Sequence, residues 1–207
     1  MLSESAIARI TGILFLLIVP VAIVTIIAEP PIDTRAEWFR GSLEEFADKD
    51  IGVSAGFGLV LSLLFVATGA ALYVTFRPYE RFISLLSAFG FLAAGVTLMA
   101  SIVANLTLFD LADEFGGTHG VQADQIVPTA RAVAIASDYF LFLGLGLFGL
   151  SLLILGILII WRQPLPRWLG WGAVVSAIIL PLALVWLLVA GGWLTWRGTN
   201  EATATAD

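Results

Sequence analysis

The chain has 207 residues, of which 59% are hydrophobic and only 13% charged, whereas a soluble domain is about half apolar and a quarter charged. The net charge of −6 argues against nucleic-acid binding, which needs a basic face. The sequence contains no cysteine, which excludes disulfides, zinc–thiolate sites and thiol catalysis. Composition therefore predicts an integral membrane protein with a single domain, residues 1–207, surrounded by the lipid bilayer.

Five apolar runs are each long enough to cross a bilayer as a helix, which needs about 20 residues. They cover residues 7–28, 51–76, 82–109, 138–161 and 168–196. Barrel strands alternate apolar and polar residues, and stretches such as LLILGILII do not. We predict an all-α membrane helical bundle of about five transmembrane helices with a disordered tail at 197–207. The first run is too long for a typical signal peptide, so we expect it to be retained.

Two short connections carry paired arginines, Arg77 and Arg81 in RPYER and Arg162 and Arg167 in RQPLPR. Short arginine-rich loops stay in the cytoplasm, so we interpret both segments as cytoplasmic turns anchored by these arginines. Five crossings then place the N-terminus inside and the C-terminus outside the cell membrane. The two hairpins also resemble each other, and a true internal repeat remains open.

The first of the two connections expected outside is acidic and contains a helical pattern. Thr34 and Glu37 fit a capping box, and Phe39, Leu43 and Phe46 follow at helical spacing. We expect a short amphipathic helix on the outer membrane face or over the mouth of the bundle.

The second outer connection, residues 110–131, is polar and interrupted by glycines, so we expect a loop that becomes amphipathic near Ile126. His119 and the nearby acidic residues fit no metal-ligand spacing. We therefore expect no metal site and no cofactor.

Several glycines form patterns inside the apolar runs. Gly144, Gly146 and Gly149 match the letters of a dinucleotide-binding loop, but that loop must lie between a strand and a helix. Inside a membrane helix, glycines instead allow another helix to approach closely. Further small residues stand four positions apart, at Gly90 and Ala94 and at Gly172 and Ser176. These positions predict tight packing within the bundle or between protomers.

Few polar side chains occur within the runs. Asp138 begins the fourth run and Asn105 lies near the outer end of the third. Asp138 is either a solvated carboxylate at a helix start or a cation- or proton-binding group partnered by Asn105. Pro20 and Pro181 interrupt the first and fifth runs, as prolines do both in kinked helices and in helices broken around binding sites.

Two segments resemble a known family. RITGILFLL (9–17) is similar to the opening of small bacterial and archaeal membrane proteins that form domain of unknown function family 4386, and LPRWLGWGAV (165–174) resembles the turn into that family's last helices. Helix order and loop lengths extend the resemblance over most of the chain. It implies a prokaryotic cytoplasmic membrane and no established activity. Some members carry an arginine and a glutamate in the third helix, where LLSAFGFLAAG (85–95) has neither.

These observations favour a non-enzymatic protein that acts through helix packing with itself or with a partner membrane protein. Catalysis needs converging acids, bases, nucleophiles or metals, and the sequence brings no such set together. The alternative is a small oligomeric transporter or channel that uses Asp138 and Asn105. An intramembrane enzyme with catalytic groups from the loops is a third possibility.

Overall fold

A computed structural model describes residues 4–28, 32–35, 38–47, 52–117 and 121–198. In these ranges every regular element is a helix. The helices are α1 (Glu4–Ala28), α2 (Phe39–Ala47), α3 (Gly52–Phe76), α4 (Arg81–Gly116), α5 (Val121–Arg162), α6 (Arg167–Ile178) and α7 (Pro181–Arg197). The predicted all-α helical bundle is confirmed.

Four helices, α1, α3, α4 and α5, are long and apolar enough to cross a membrane. Neighbours in the chain run antiparallel: the Oγ1 atoms of Thr11 and Thr75 lie 2.8 Å apart between α1 and α3. The turns after α3 and α5 lie at the same end of the bundle, because Arg162 Nη2 donates to Glu80 Oε2 over 2.9 Å. We call this end the arginine end.

The fifth apolar run does not form the single helix expected over 168–196. It breaks at Ile179 and Leu180, between α6 and α7, and the two helices fold back on each other. The rings of Trp168 and Trp193 are 6.0 Å apart, and Trp186 Nε1 donates to the carbonyl of Leu169 over 2.7 Å. At 12 and 17 residues, the helices are about 18 and 26 Å long, so we call them the short hairpin.

The short hairpin brings α7 back to the arginine end. A Cβ atom added to Gly12, near the start of α1, would lie 2.5 Å from Thr195 Oγ1 and 2.7 Å from the carbonyl oxygen of Gly191. The last turn of α7 therefore lies beside the first turns of α1. The fifth run therefore turns back towards the arginine end, whereas the sequence predicts one continuous helix.

At the opposite end α4 and α5 extend beyond the other helices. With 36 and 42 residues they are about 54 and 63 Å long, against roughly 30 Å for the hydrocarbon core. The connection predicted at 110–131 is therefore largely helical. Residues 118–120, and His119 with them, lie outside the described part of the chain.

The predicted amphipathic helix exists as α2, and it packs on these extensions. Phe39, Leu43 and Phe46 are buried against a second apolar cluster. The residues that α4 and α5 contribute to it are Leu108, Ala112, Phe115, Ile126, Ala130 and Ala134. This packing covers the apolar faces of both helix extensions. Glu37 of the proposed capping box, and residues 199–207 of the proposed tail, lie outside the described residues.

Candidate functional site

A cavity of about 660 Å³ lies in the half of the bundle away from the arginine end. Its walls come from α1, α3, α4 and α5, and the tip of the short hairpin, Leu180 and Pro181, forms part of its inner boundary. Ile32 and Phe46 lie at its outer rim. Ligand sites in proteins are typically concave and mostly apolar, with a few placed polar groups, and this cavity has that character.

One wall, formed by α4 and α5, carries most of the polar groups. It contains Ser101, Asn105, Ser137 and Asp138. Ser137 Oγ lies 2.7 Å from Asn105 Oδ1, and the hydroxyls of Ser101 and Ser137 lie 2.9 Å apart. The structure thus brings both sequence-predicted residues, Asp138 and Asn105, to one wall of one cavity.

The serine hydroxyls of this wall have acceptors within the chain. Ser101 Oγ donates to the carbonyl of Ser137 over 3.0 Å, and Ser137 Oγ lies 3.1 Å from the carbonyl of Ser101. Across the cavity, Thr25 Oγ1 donates to the carbonyl of Val21 over 2.9 Å. A hydroxyl has one hydrogen and two lone pairs, so these groups offer a ligand mainly acceptors.

The remaining walls are predominantly apolar. Side chains such as Ile18, Leu61, Leu98, Leu141 and Leu184 line them. Among the described residues that line the cavity, Asp138 alone is ionisable. The site therefore combines a large apolar volume with a single carboxylate at one side.

Aromatic rings close the cavity toward the arginine end. Phe65 and Phe148 belong to its lining, and their ring centroids are 5.1 Å apart in an edge-to-face arrangement. Behind them, the ring centroid of Phe91 lies 5.4 Å from that of Phe148 and 6.1 Å from that of Phe15. The ring centroids of Phe15 and Trp186 are 5.7 Å apart. We call these five residues the aromatic cluster. All five are almost completely buried.

Most of the glycines predicted to pack do contact a helix of the same chain. An added Cβ would lie 2.7 Å from Ser151 Cβ at Gly90 and 2.9 Å from Thr97 Oγ1 at Gly144. At Gly149 it would lie 3.1 Å from the carbonyl of Ala177, and at Gly172 2.9 Å from the Trp186 ring. Ala94 and Ser176 are buried. Gly146 differs, because an added Cβ there would meet no atom within 4 Å.

Two glycine pairs that pack the short hairpin against its neighbours were not predicted from the sequence. A Cβ added to Gly156 would lie 2.7 Å from the carbonyl oxygen of Gly170, and one added to Gly170 would lie 2.9 Å from that of Gly156. Gly12 and Gly191 make the same reciprocal contact, at 2.7 and 2.8 Å. These pairs join different helices, so a search for small residues four positions apart along one helix cannot find them.

At the outer rim, the segment that precedes α2 contacts helix α5. Arg131 Nε donates to the carbonyl of Thr34 over 2.9 Å, while Arg35 binds Asp33 with its guanidinium and its backbone N–H. The Arg35 guanidinium lowers the pKa of Asp33 to about 2. The carbonyl of Arg35 accepts from the N–H groups of Trp38 and Phe39, at the start of α2.

Neither a metal nor a dinucleotide motif finds support in the described ranges. They contain no group of three or more histidine, cysteine, aspartate or glutamate side chains that could hold a metal ion. The G-x-G-x-x-G letters lie in the middle of α5, without the strand–loop–helix context that binds pyrophosphate.

The four arginines predicted as anchors lie in or beside the two turns at the arginine end. α5 ends at Arg162 and α6 begins at Arg167, so the proline-rich segment RQPLPR is a turn. Trp161, Trp168 and Trp171 are exposed near this turn, as expected for residues at the headgroup level.

Comparison with known proteins identifies the family but no activity. No curated protein and no solved structure matches the chain significantly. The model of family DUF4386, a domain of unknown function, matches residues 10–198, which include most of α1 and the whole of the helices from α2 to α7. The chain is thus a membrane-spanning helical protein that belongs to the DUF4386 family.

Proposed function

We propose that this protein binds a small amphipathic molecule in the cavity, from the outer side of the cytoplasmic membrane, and that it is not an enzyme. The observation that carries the proposal is the cavity of about 660 Å³, with its apolar walls and one polar wall. A volume of that size lies within the range of small-molecule sites. An amphipathic molecule would place its apolar body against α1 and α3 and its polar end at Asp138 and Asn105.

The orientation follows from the arginines. Six of them, Arg9, Arg77, Arg81, Arg162, Arg167 and Arg197, lie near the arginine end. The positive-inside rule favours that end for the cytoplasm. The cavity then faces outward, and both α1 and α7 have their arginine-bearing ends in the cytoplasm.

Binding is favoured over catalysis because the cavity lining offers one carboxylate without a second acid, base or nucleophile beside it. It is favoured over an open channel because the aromatic cluster fills the bundle between the cavity and the arginine end. Action through helix packing with a partner has less support, since Gly90, Gly144, Gly149 and Gly172 already contact helices of the same chain. Homo-oligomerisation stays a prediction.

Binding of 1-adamantanol to the purified protein in lipid nanodiscs tests this proposal. The molecule has a compact apolar cage and one hydroxyl group, and empty nanodiscs correct for partitioning into lipid. We expect saturable binding that Ala55→Trp abolishes, because Ala55 lines the cavity on α3. Leu63→Trp is the matched control, since Leu63 lies on the same helix but is 58% exposed. Saturable binding that both variants retain would contradict the proposed site.

A further inference from the structure

We infer that the ligand of this cavity carries a positive charge: it is an amphipathic organic amine whose ammonium group binds at Asp138. This inference rests on the proposed function and adds the chemical class of the ligand. It follows from the charge of the cavity, from the hydrogen-bonding capacity of the polar wall, and from the position of Asp138 within that wall.

The charge of the cavity comes from a single residue. Asp138 is the one ionisable side chain among the described residues that line it, and Asp138 is partly buried. Opposite charges attract more strongly where apolar walls exclude water. An anionic ligand would meet repulsion in the same place, and a neutral ligand would leave the carboxylate without a counter-charge.

The hydrogen-bonding groups on either side of Asp138 point to the same class. The hydroxyls of Ser101 and Ser137 already have acceptors in the chain, so they present lone pairs to the cavity. The carboxylate adds two further acceptor oxygens. An ammonium group has up to three N–H donors and no acceptor, which complements the serine and carboxylate oxygens of this wall.

A cation at the rim, Arg131, already has a hydrogen-bond partner. Arg131 lies seven residues before Asp138 on α5, about 10 Å along the helix axis, and its Nε donates to the carbonyl of Thr34. Arg131 is not among the lining residues. It therefore fixes the rim and leaves the Asp138 carboxylate to face the cavity.

Three probes with the same apolar cage separate the charge from the shape: 1-adamantylammonium, 1-adamantanol and 1-adamantanecarboxylate. Alkylamines of this kind are protonated at neutral pH. Binding is measured by equilibrium dialysis against nanodiscs that contain the whole protein, with empty nanodiscs subtracted. We expect the ammonium probe to bind roughly tenfold more tightly than the alcohol, a part of the Coulomb attraction available near a protein surface, and the carboxylate probe to bind least.

The variant Asp138→Asn should remove the preference for the ammonium probe over the alcohol. An unchanged thermal unfolding temperature in nanodiscs shows that the variant folds. The control is Asp110→Asn, which changes the net charge equally but alters an exposed residue on α4 outside the lining. This control should keep the preference.

The outcomes distinguish the two proposals. If the alcohol and the ammonium probe bind the native protein equally, or if Asp138→Asn keeps the preference, the cationic ligand is excluded and the binding cavity stands. Tighter binding of the carboxylate probe would also overturn the inference and would assign the recognition to Arg131. If none of the three probes binds saturably, the proposed function itself fails.

Discussion

The two halves of the bundle are built from the same four long helices, yet one is filled and the other is hollow. Near the arginine end the short hairpin packs against α1 and α5 through reciprocal glycine contacts. Its tip, Leu180 and Pro181, reaches only as far as the cavity. In the other half, among the described residues, α7 contributes only its first two turns, and a volume of about 660 Å³ remains between the four long helices. The cavity thus exists because the fifth apolar run turns back.

The serine pairs between α4 and α5 show the same contrast at the level of single side chains. Ser87 and Ser151, in the filled half, are both buried with their hydroxyls 3.3 Å apart. Ser101 and Ser137, about four turns away on each helix, make an equivalent pair at 2.9 Å but line the cavity beside Asn105. One pair only joins two helices, whereas the other is also available to a ligand.

The largest difference in stability is expected between leucine-to-alanine variants in the two halves of the bundle. Leu155→Ala empties a fully buried position of α5 in the core and should cost about 2–5 kcal/mol of stability. Leu145→Ala, ten residues earlier on α5, removes a side chain that faces existing empty volume, so its cost should lie below about 1–2 kcal/mol. Thermal unfolding in the same detergent measures both variants. Equal losses would show that the cavity is packed in solution.

A smaller effect is expected at the glycine contacts. A Cβ at position 156 would press on the backbone oxygen of Gly170, and since backbone atoms cannot move aside, Gly156→Ala should cost about 1–3 kcal/mol. The matched control is Gly146→Ala, which meets no atom within 4 Å and should leave the melting temperature unchanged or slightly higher. If Gly156→Ala proves as stable as the control, the close approach of α5 and α6 is wrong.

The two serine pairs should contribute equally to stability but differ in their effect on ligand binding. Interhelical hydrogen bonds in membranes contribute about 0.6 kcal/mol on average, so Ser151→Ala and Ser137→Ala should each destabilise by roughly that amount. Only Ser137→Ala removes the donor to Asn105 Oδ1. It should therefore change the affinity for the adamantane probes, whereas Ser151→Ala should not. Equal changes in affinity for the two variants would contradict the proposal that only the pair of Ser101 and Ser137 contacts the ligand.

The smallest expected effect lies at the rim. The carboxyl of Asp33 should titrate near pH 2, below its ordinary value of 3.8, because Arg35 binds its charged form. Since the folded pKa is the lower one, the contribution to stability is present above about pH 3.8 and is lost as the pH falls through about 2. Carboxyl ¹³C NMR should show this shift, and Arg35→Gln should return the pKa towards 3.8. A native value already near 3.8 would exclude the ion pair.

Hydropathy predicted the bundle, its four long helices and the amphipathic helix α2, because these features depend on composition and local spacing. It did not predict the short hairpin, since two antiparallel apolar helices have the same hydropathy as one crossing helix. Tryptophans at both ends of the run, Trp168 and Trp196, also suit a crossing. Pro181 predicts an interruption of the run, and in the structure it begins α7. The sequence alone does not distinguish a proline that kinks one helix from a proline that begins a second, antiparallel helix.

The candidate site was predicted in part. Asp138 and Asn105 stood out because polar residues in membrane helices are few, and both line the cavity. The sequence did not single out the neighbouring Ser101 and Ser137, because a serine in an apolar helix usually forms a hydrogen bond to its own helix backbone. The volume of the cavity depends on where the hairpin ends, and no local pattern contains that information.

The most direct test of this account is the distance between spin labels at Arg9→Cys and Arg197→Cys, measured by double electron–electron resonance in nanodiscs. The chain has no native cysteine, so these labels are specific, and Arg9→Cys with Asp110→Cys gives a reference along the length of the bundle. If the fifth run turns back, the first pair should be roughly 25 Å apart or less, the spacing of neighbouring helices plus the label arms. A separation of about 30 Å or more, the thickness of the hydrocarbon core, would show that the run crosses the membrane and would contradict the origin proposed for the cavity.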